Sequence, residues 1–132
     1  MSSLNETIAI HYHVTASIRN NSLFLPQDFG KWVYEISKKF QVVYLITFVD
    51  NDKKNNFRIP LKNIKIINLG KQLHPIKTFL KLNSYKSEIY KHKNKFEVIC
   101  FRVPSFLAIY LSALLINKRK VFYIVGSMKG AK

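Results

Sequence analysis

The chain has 132 residues, enough for one ordinary domain and short for two. Hydrophobic residues make up 48% and aromatics 14%, which supports a packed core and excludes wholesale disorder. Lys and Arg number 22 against 7 Asp and Glu, a formal net charge of +15 that bears on partners rather than fold; the one cysteine, Cys100, excludes an internal disulfide framework and a cysteine-based zinc cluster.

The N-terminal stretch Met1–Glu6 is polar and has no basic region ahead of an apolar one, so it does not read as a signal peptide. Thr7 to Val14 is β-branched and aromatic and predicts a strand. Asn20, Asn21 and Ser22 mark a loop, and Pro26 suits a helix start. Phe29, Trp32, Val33, Ile36 and Phe40 recur at three- and four-residue steps, one apolar stripe on a helix. Val42 to Val49 is continuously apolar, the pattern of a strand buried on both faces. A polar turn follows at 50–56. Phe57 to Leu61 is extended but confined to an edge by Pro60, and Ile64 to Leu69 is a further strand ended by Gly70.

His74-Pro75 opens a helical segment predicted to run to about Asn94. At about 100° per residue, Ile76, Phe79, Leu80, Leu82, Tyr85, Ile89 and Tyr90 form one arc, expected to face the core. Lys77, Lys81, Lys91, Lys95 and His92 form the opposite arc. Glu97 to Phe101 is a strand. Pro104 starts an apolar helix stopped by Asn117–Lys120, and Val121 to Val125 is a last strand ended by Gly126. The apolar run Phe106–Ile116 is shorter than the roughly 20 residues a bilayer core requires, so it reads as a buried helix. Strands alternating with helices predict an α/β fold: one domain over residues 1–132, with a mostly parallel, Rossmann-like sheet and helices on both faces.

Charge is concentrated in the middle of the chain. Residues 61–95 carry nine lysines and only Glu88. A basic arc of this kind is either a solvated face or an attraction to anionic lipid headgroups, placing Lys77, Lys81, Lys91 and Lys95 as membrane-facing residues. Nucleic acid is disfavoured, because Phe79, Tyr85 and Tyr90 fall on the apolar arc rather than among the lysines.

Familiar cofactor motifs are missing. The turn after the first strand, Thr15–Asn21, has no glycine for a pyrophosphate to approach, and Gly126-Ser-Met-Lys-Gly130 lacks P-loop spacing; no cofactor is expected. His11 and His13 lie two apart and share a face of a regular strand, but no third metal ligand accompanies them, so packing or a ligand contact is expected. Cys100 sits in an apolar strand and reads as a buried, inert thiol. Arg102-Val-Pro-Ser105 joins a strand end to a helix start, where Arg102 can fork onto a phosphate or carboxylate and Ser105 can cap the helix or touch a ligand.

Asp28-Phe-Gly-Lys-Trp32, with a strand after Lys39-Phe40, resembles the N-terminal half of GT-B glycosyltransferases, closest to the family-4 enzymes of bacterial polysaccharide assembly. Phe101-Arg-Val-Pro-Ser105, the apolar helix, the basic turn and Val121-Phe-Tyr-Ile-Val-Gly126 carry the same likeness, which spans almost the whole chain. The resemblance implies an acceptor-side domain at the cytoplasmic face of a membrane, peripheral to it. That domain takes a polysaccharide or lipid-linked acceptor, with His13, Arg102 and Ser105 as substrate contacts. The nucleotide-sugar donor of that family is held by a second domain through two glutamates separated by seven residues, a spacing that Glu6, Glu35, Glu88 and Glu97 do not offer. The domain is therefore expected to be inactive alone. The competing reading is a non-enzymatic basic module for anionic membrane or nucleic acid.

Overall fold

The computed structural model describes residues 4–51, 55–103, 106–115 and 117–124. Among them are seven strands and four α-helices: β1 (Leu4–Arg19), β2 (Ser22–Leu25), α1 (Gln27–Ser37), β3 (Phe40–Val49), β4 (Phe57–Pro60), β5 (Ile64–Asn68), α2 (Pro75–Leu80), α3 (Leu82–Tyr90), β6 (Val98–Val103), α4 (Phe106–Leu114) and β7 (Arg119–Ile124). The fold is α/β, as the alternation of patterns predicts.

The expectation of a mostly parallel sheet is corrected to a mixed seven-stranded one. The ladders β1–β3, β1–β6, β3–β5 and β6–β7 are parallel, whereas β1–β2 and β2–β4 are antiparallel. The cause is the great length of β1. It continues past its parallel neighbours and turns back at Asn20-Asn21 into β2, where the sequence alone reads a loop. Both asparagines have positive φ, 52° and 60°, and Arg19 pairs with Ser22 across them. One of the common two-residue hairpin turns has positive φ at both central residues, and asparagine tolerates that conformation well. β4 then completes this arm at an edge of the sheet, the position its Pro60 requires.

Strand alternation divides the core in two. Ile8, Ile10, Val43, Leu45 and Cys100 face one way and pack with Phe29 and Val33 of α1. Ala9, Tyr44, Ile46, Ile99 and Phe101 face the other way and pack with Tyr85 and Ile89 of α3 and with Leu107 and Leu111 of α4. Val43 to Phe48 are buried without interruption, since β3 has helices over both faces.

The helix predicted over 75–94 is broken. Lys81, with φ −98° and ψ 5°, ends α2 and starts α3, and residues 93–95 form only a 3-10 turn. At about 100° per residue the predicted arc is about 220° wide, with Tyr85 and Ile89 on the far side from Ile76 and Leu80, so it is too broad to be buried as one face. Tyr85 and Ile89 of the predicted arc enter the core. Ile76, Phe79 and Leu80 do not: they are 68%, 63% and 75% exposed, against the expectation that they pack inside. No helix among the described residues is long and apolar enough to cross a membrane.

Candidate functional site

The parallel ladder between β1 and β6 ends at the pair His11–Phe101. Just beyond it the two strands part, leaving Tyr12 and His13 on one and Arg102 on the other. β1 is irregular here: four steps from His11 to Thr15 match two on β3, from Ile46 to Phe48. Such a bulge re-aims side chains, and bulges are over-represented beside functional sites.

Backbone carbonyls around the bulge are held by side chains. The His11 Nδ1–H donates to the Ile46 carbonyl at 2.8 Å, and the Thr47 hydroxyl donates to that of Val14 at 3.0 Å. The Asn55 amide donates to the Thr15 carbonyl at 2.7 Å, and the Gln72 amide reaches that of His13 at 3.4 Å. Thr15 Oγ1 donates in turn to Gln72 Oε1 at 2.9 Å. The irregular strand is thus fixed from three directions, by β3, by the segment before β4 and by the segment before α2.

Arg102 is 6% exposed. Its guanidinium carbon lies 5.0 Å from the centre of the Tyr12 ring, 5.1 Å from that of Phe29 and 4.9 Å from that of Trp32. Three π faces around one cation compensate part of the loss of water, each interaction being worth on the order of 1–2 kcal/mol when desolvated. Arg102 is therefore embedded between β1 and α1 rather than standing free at the surface. Phe29 and Trp32 stack at 5.9 Å, one turn apart on α1, so the apolar stripe read for that helix forms two walls of the box.

His13 is exposed, and its ring meets Tyr12 edge-on at 4.4 Å. Tyr12 therefore bridges the two predicted contacts, His13 and Arg102, at a shared rim. Ser105 lies outside the described residues. His11, predicted to share a face with His13 on a regular strand, is separated from it by the bulge: it is wholly buried and packs edge-on against Phe101. Burial pushes its pKa down to about 4, with the charge of His13 adding to the effect and the bond to Ile46 opposing it. His11 is a neutral structural imidazole at pH 7. Among the described residues, no three His, Cys, Asp or Glu side chains come together to hold a metal ion. Burial also pushes the Cys100 thiol up to about 11, against the pull of Arg102, so it is protonated and a poor nucleophile.

The lysines are divided. Lys77 and Lys81 belong to α2 and the break behind it. Lys91 pairs with Glu88 at 3.0 Å, and Lys95 lines a cleft of about 320 Å³ with Thr7, Glu97 and Arg119, at the opposite end of the strands from the rim. Another cleft, of about 230 Å³, lies between Tyr34, Lys38 and Asn63. Neither of these two clefts includes the rim.

Tyr12, Phe29, Trp32, Asn55 and Gln72 are the members that sequence reasoning missed as a set. Only the stripe on α1 pointed to two of them, and it pointed to the core. No protein family, curated protein or solved structure matches this chain.

Proposed function

We propose that the chain is the acceptor-side domain of a GT-B-type glycosyltransferase, a Rossmann-like unit that works with a donor-binding domain located elsewhere. Within the mixed sheet, the strands joined by parallel ladders follow the order β5-β3-β1-β6-β7. In order of appearance these are the third, second, first, fourth and fifth, the doubly wound order, whose ligands bind where the order reverses. The reversal falls between β1 and β6. The observation that carries the reading is that Tyr12, His13, Trp32 and Arg102 converge there.

The chemistry of that rim suits a glycan carrying phosphate. Tyr12 and Trp32 are half-buried, so part of each aromatic ring remains for the apolar C–H side of a sugar, and exposed His13 can bond a hydroxyl. Arg102 supplies a fixed positive charge just beneath. The assignment to a transferase draws on fold analogy; the glycan contact draws on the rim itself. The working location is the cytoplasmic face of a membrane, where a lipid-linked acceptor would be met.

Trp32 is the one tryptophan in the chain, so its emission reports on the rim. Titration with a short-chain, water-soluble polyprenyl diphosphate monosaccharide should shift that emission, and uridine diphosphate glucose should not. His13→Ala should weaken the response about 2- to 10-fold, the value of a hydrogen bond to a hydroxyl, and Arg102→Leu about 10- to 100-fold, the value of an interaction with a charged group. A response to the nucleotide sugar alone, or robust sugar transfer by the isolated chain, would overturn the proposal.

A further inference from the structure

Among the described residues, Ile76, Phe79 and Leu80 are three neighbouring apolar side chains on one helix left exposed, at 68%, 63% and 75%. They lie three and four residues apart and so share one face of α2. The opposite side is anchored: Thr78 is buried, and its hydroxyl donates to the Leu73 carbonyl at 3.1 Å. His74 caps the first turn through Nδ1, which accepts from the Ile76 N–H at 3.3 Å. The helix is therefore held to the body with its apolar side outward. At about 100° per residue, Lys77 borders that side about 60° past Leu80, with Lys81 about 40° further round, and both are exposed.

We infer that α2 is an interfacial anchor for an anionic lipid bilayer: Ile76, Phe79 and Leu80 enter the boundary between headgroups and acyl chains, while Lys77 and Lys81 meet lipid phosphates. Three adjacent apolar side chains beside two lysines, in a chain of net charge +15, match a surface that is apolar below and negative above. Single-stranded nucleic acid fits less well, since two of the three side chains are aliphatic and cannot stack on bases. The anchor also adjoins the rim. α2 begins three residues after Gln72, whose side chain bonds the His13 carbonyl and Thr15. Docking through α2 brings the Tyr12–His13 surface close to the plane in which a lipid-linked acceptor lies. The anchor stands apart from the carbohydrate reading: a chain that binds vesicles through α2 but ignores the glycolipid would fail only the latter.

The test is co-sedimentation of the full chain with vesicles of phosphatidylcholine containing 30% phosphatidylglycerol (~, a conventional anionic fraction). The variant Ile76→Ser/Phe79→Ser/Leu80→Ser removes only exposed groups, so its urea midpoint should hold while partitioning falls on the order of a hundredfold. Lys77→Gln/Lys81→Gln should cost about fivefold per lysine, roughly twenty-five-fold together. Lys91→Gln/Lys95→Gln should cost far less, because those lysines stand beyond α3 and screening acts over about 10 Å. The inference is overturned if the triple serine variant binds like the parent, or if the Lys91/Lys95 variant loses as much as the Lys77/Lys81 one. It is also overturned if the vesicles are ignored while the same face drives self-association or binds a polyuridine oligonucleotide.

Discussion

Folding must weaken as the pH drops below neutrality, because of His11. Its ring is wholly buried and its Nδ1–H is committed to the Ile46 carbonyl. Desolvation holds the native pKa at about 4, whereas the unfolded chain carries an ordinary histidine at 6.5. Below the unfolded value the unfolded state takes up a proton that the native state refuses. Stability contributed by the neutral imidazole is thus complete above about pH 6.5 and declines as pH falls, until the native ring also protonates near pH 4. At about 1.4 kcal/mol per unit the full difference is about 3 kcal/mol, of which about 2 kcal/mol is lost by pH 5. Urea unfolding between pH 7.5 and 5 reads this loss, above most of the carboxylate range. His11→Phe keeps a flat ring beside Phe101 but cannot titrate, so its stability, although lower at every pH, should be flatter across the window by that amount. Equal slopes for the two proteins would refute the argument, as would a native His11 resonance titrating near pH 6.5.

Two further predictions concern single groups. Gly30→Ala would normally strengthen a helix by about 1 kcal/mol, but a Cβ at Gly30 would lie 2.6–2.9 Å from side-chain atoms of Phe57, between α1 and β4. The substitution should therefore lower the unfolding free energy measured in urea by about 1–3 kcal/mol, and Phe57→Ala should relieve the conflict in a double-mutant cycle. Cys100 should resist a thiol-specific disulfide reagent at pH 8 in the native protein and react at once in denaturant, as burial and a pKa of about 11 require; rapid native modification would show that the β6 core opens readily.

Much of the fold was legible because it depends on local periodicity. The apolar run of β3, the stripe on α1 and the buried arc of α3 each repeat at the period of their element. Repetition of that kind survives whatever the rest of the chain does. The inert character of Cys100 was readable for a similar reason, since a thiol inside an apolar strand has little access to water. Even the missed hairpin left a trace in Asn20-Asn21, two residues suited to positive φ. The trace decides nothing until β4, more than thirty residues on, pairs with β2 to make the hairpin worth forming.

The candidate site was less legible. Arg102 reads in sequence as a cation beside a helix start; only the approach of β1 and α1 puts Tyr12, Phe29 and Trp32 around it. His11 and His13 look equivalent by spacing, and the bulge alone makes one a buried neutral ring and the other an exposed contact. The outward face of α2 follows from the seating of Thr78, Tyr85 and Ile89, which share one side at about 100° per residue and are buried, so that Ile76, Phe79 and Leu80 are left outside. Residue order thus determined which segments are strands and helices and where charge accumulates, because those depend on neighbours a few positions apart. Which apolar faces stay in water, and which aromatic rings close around Arg102, was decided by pairings between distant segments, whose register no local pattern encodes.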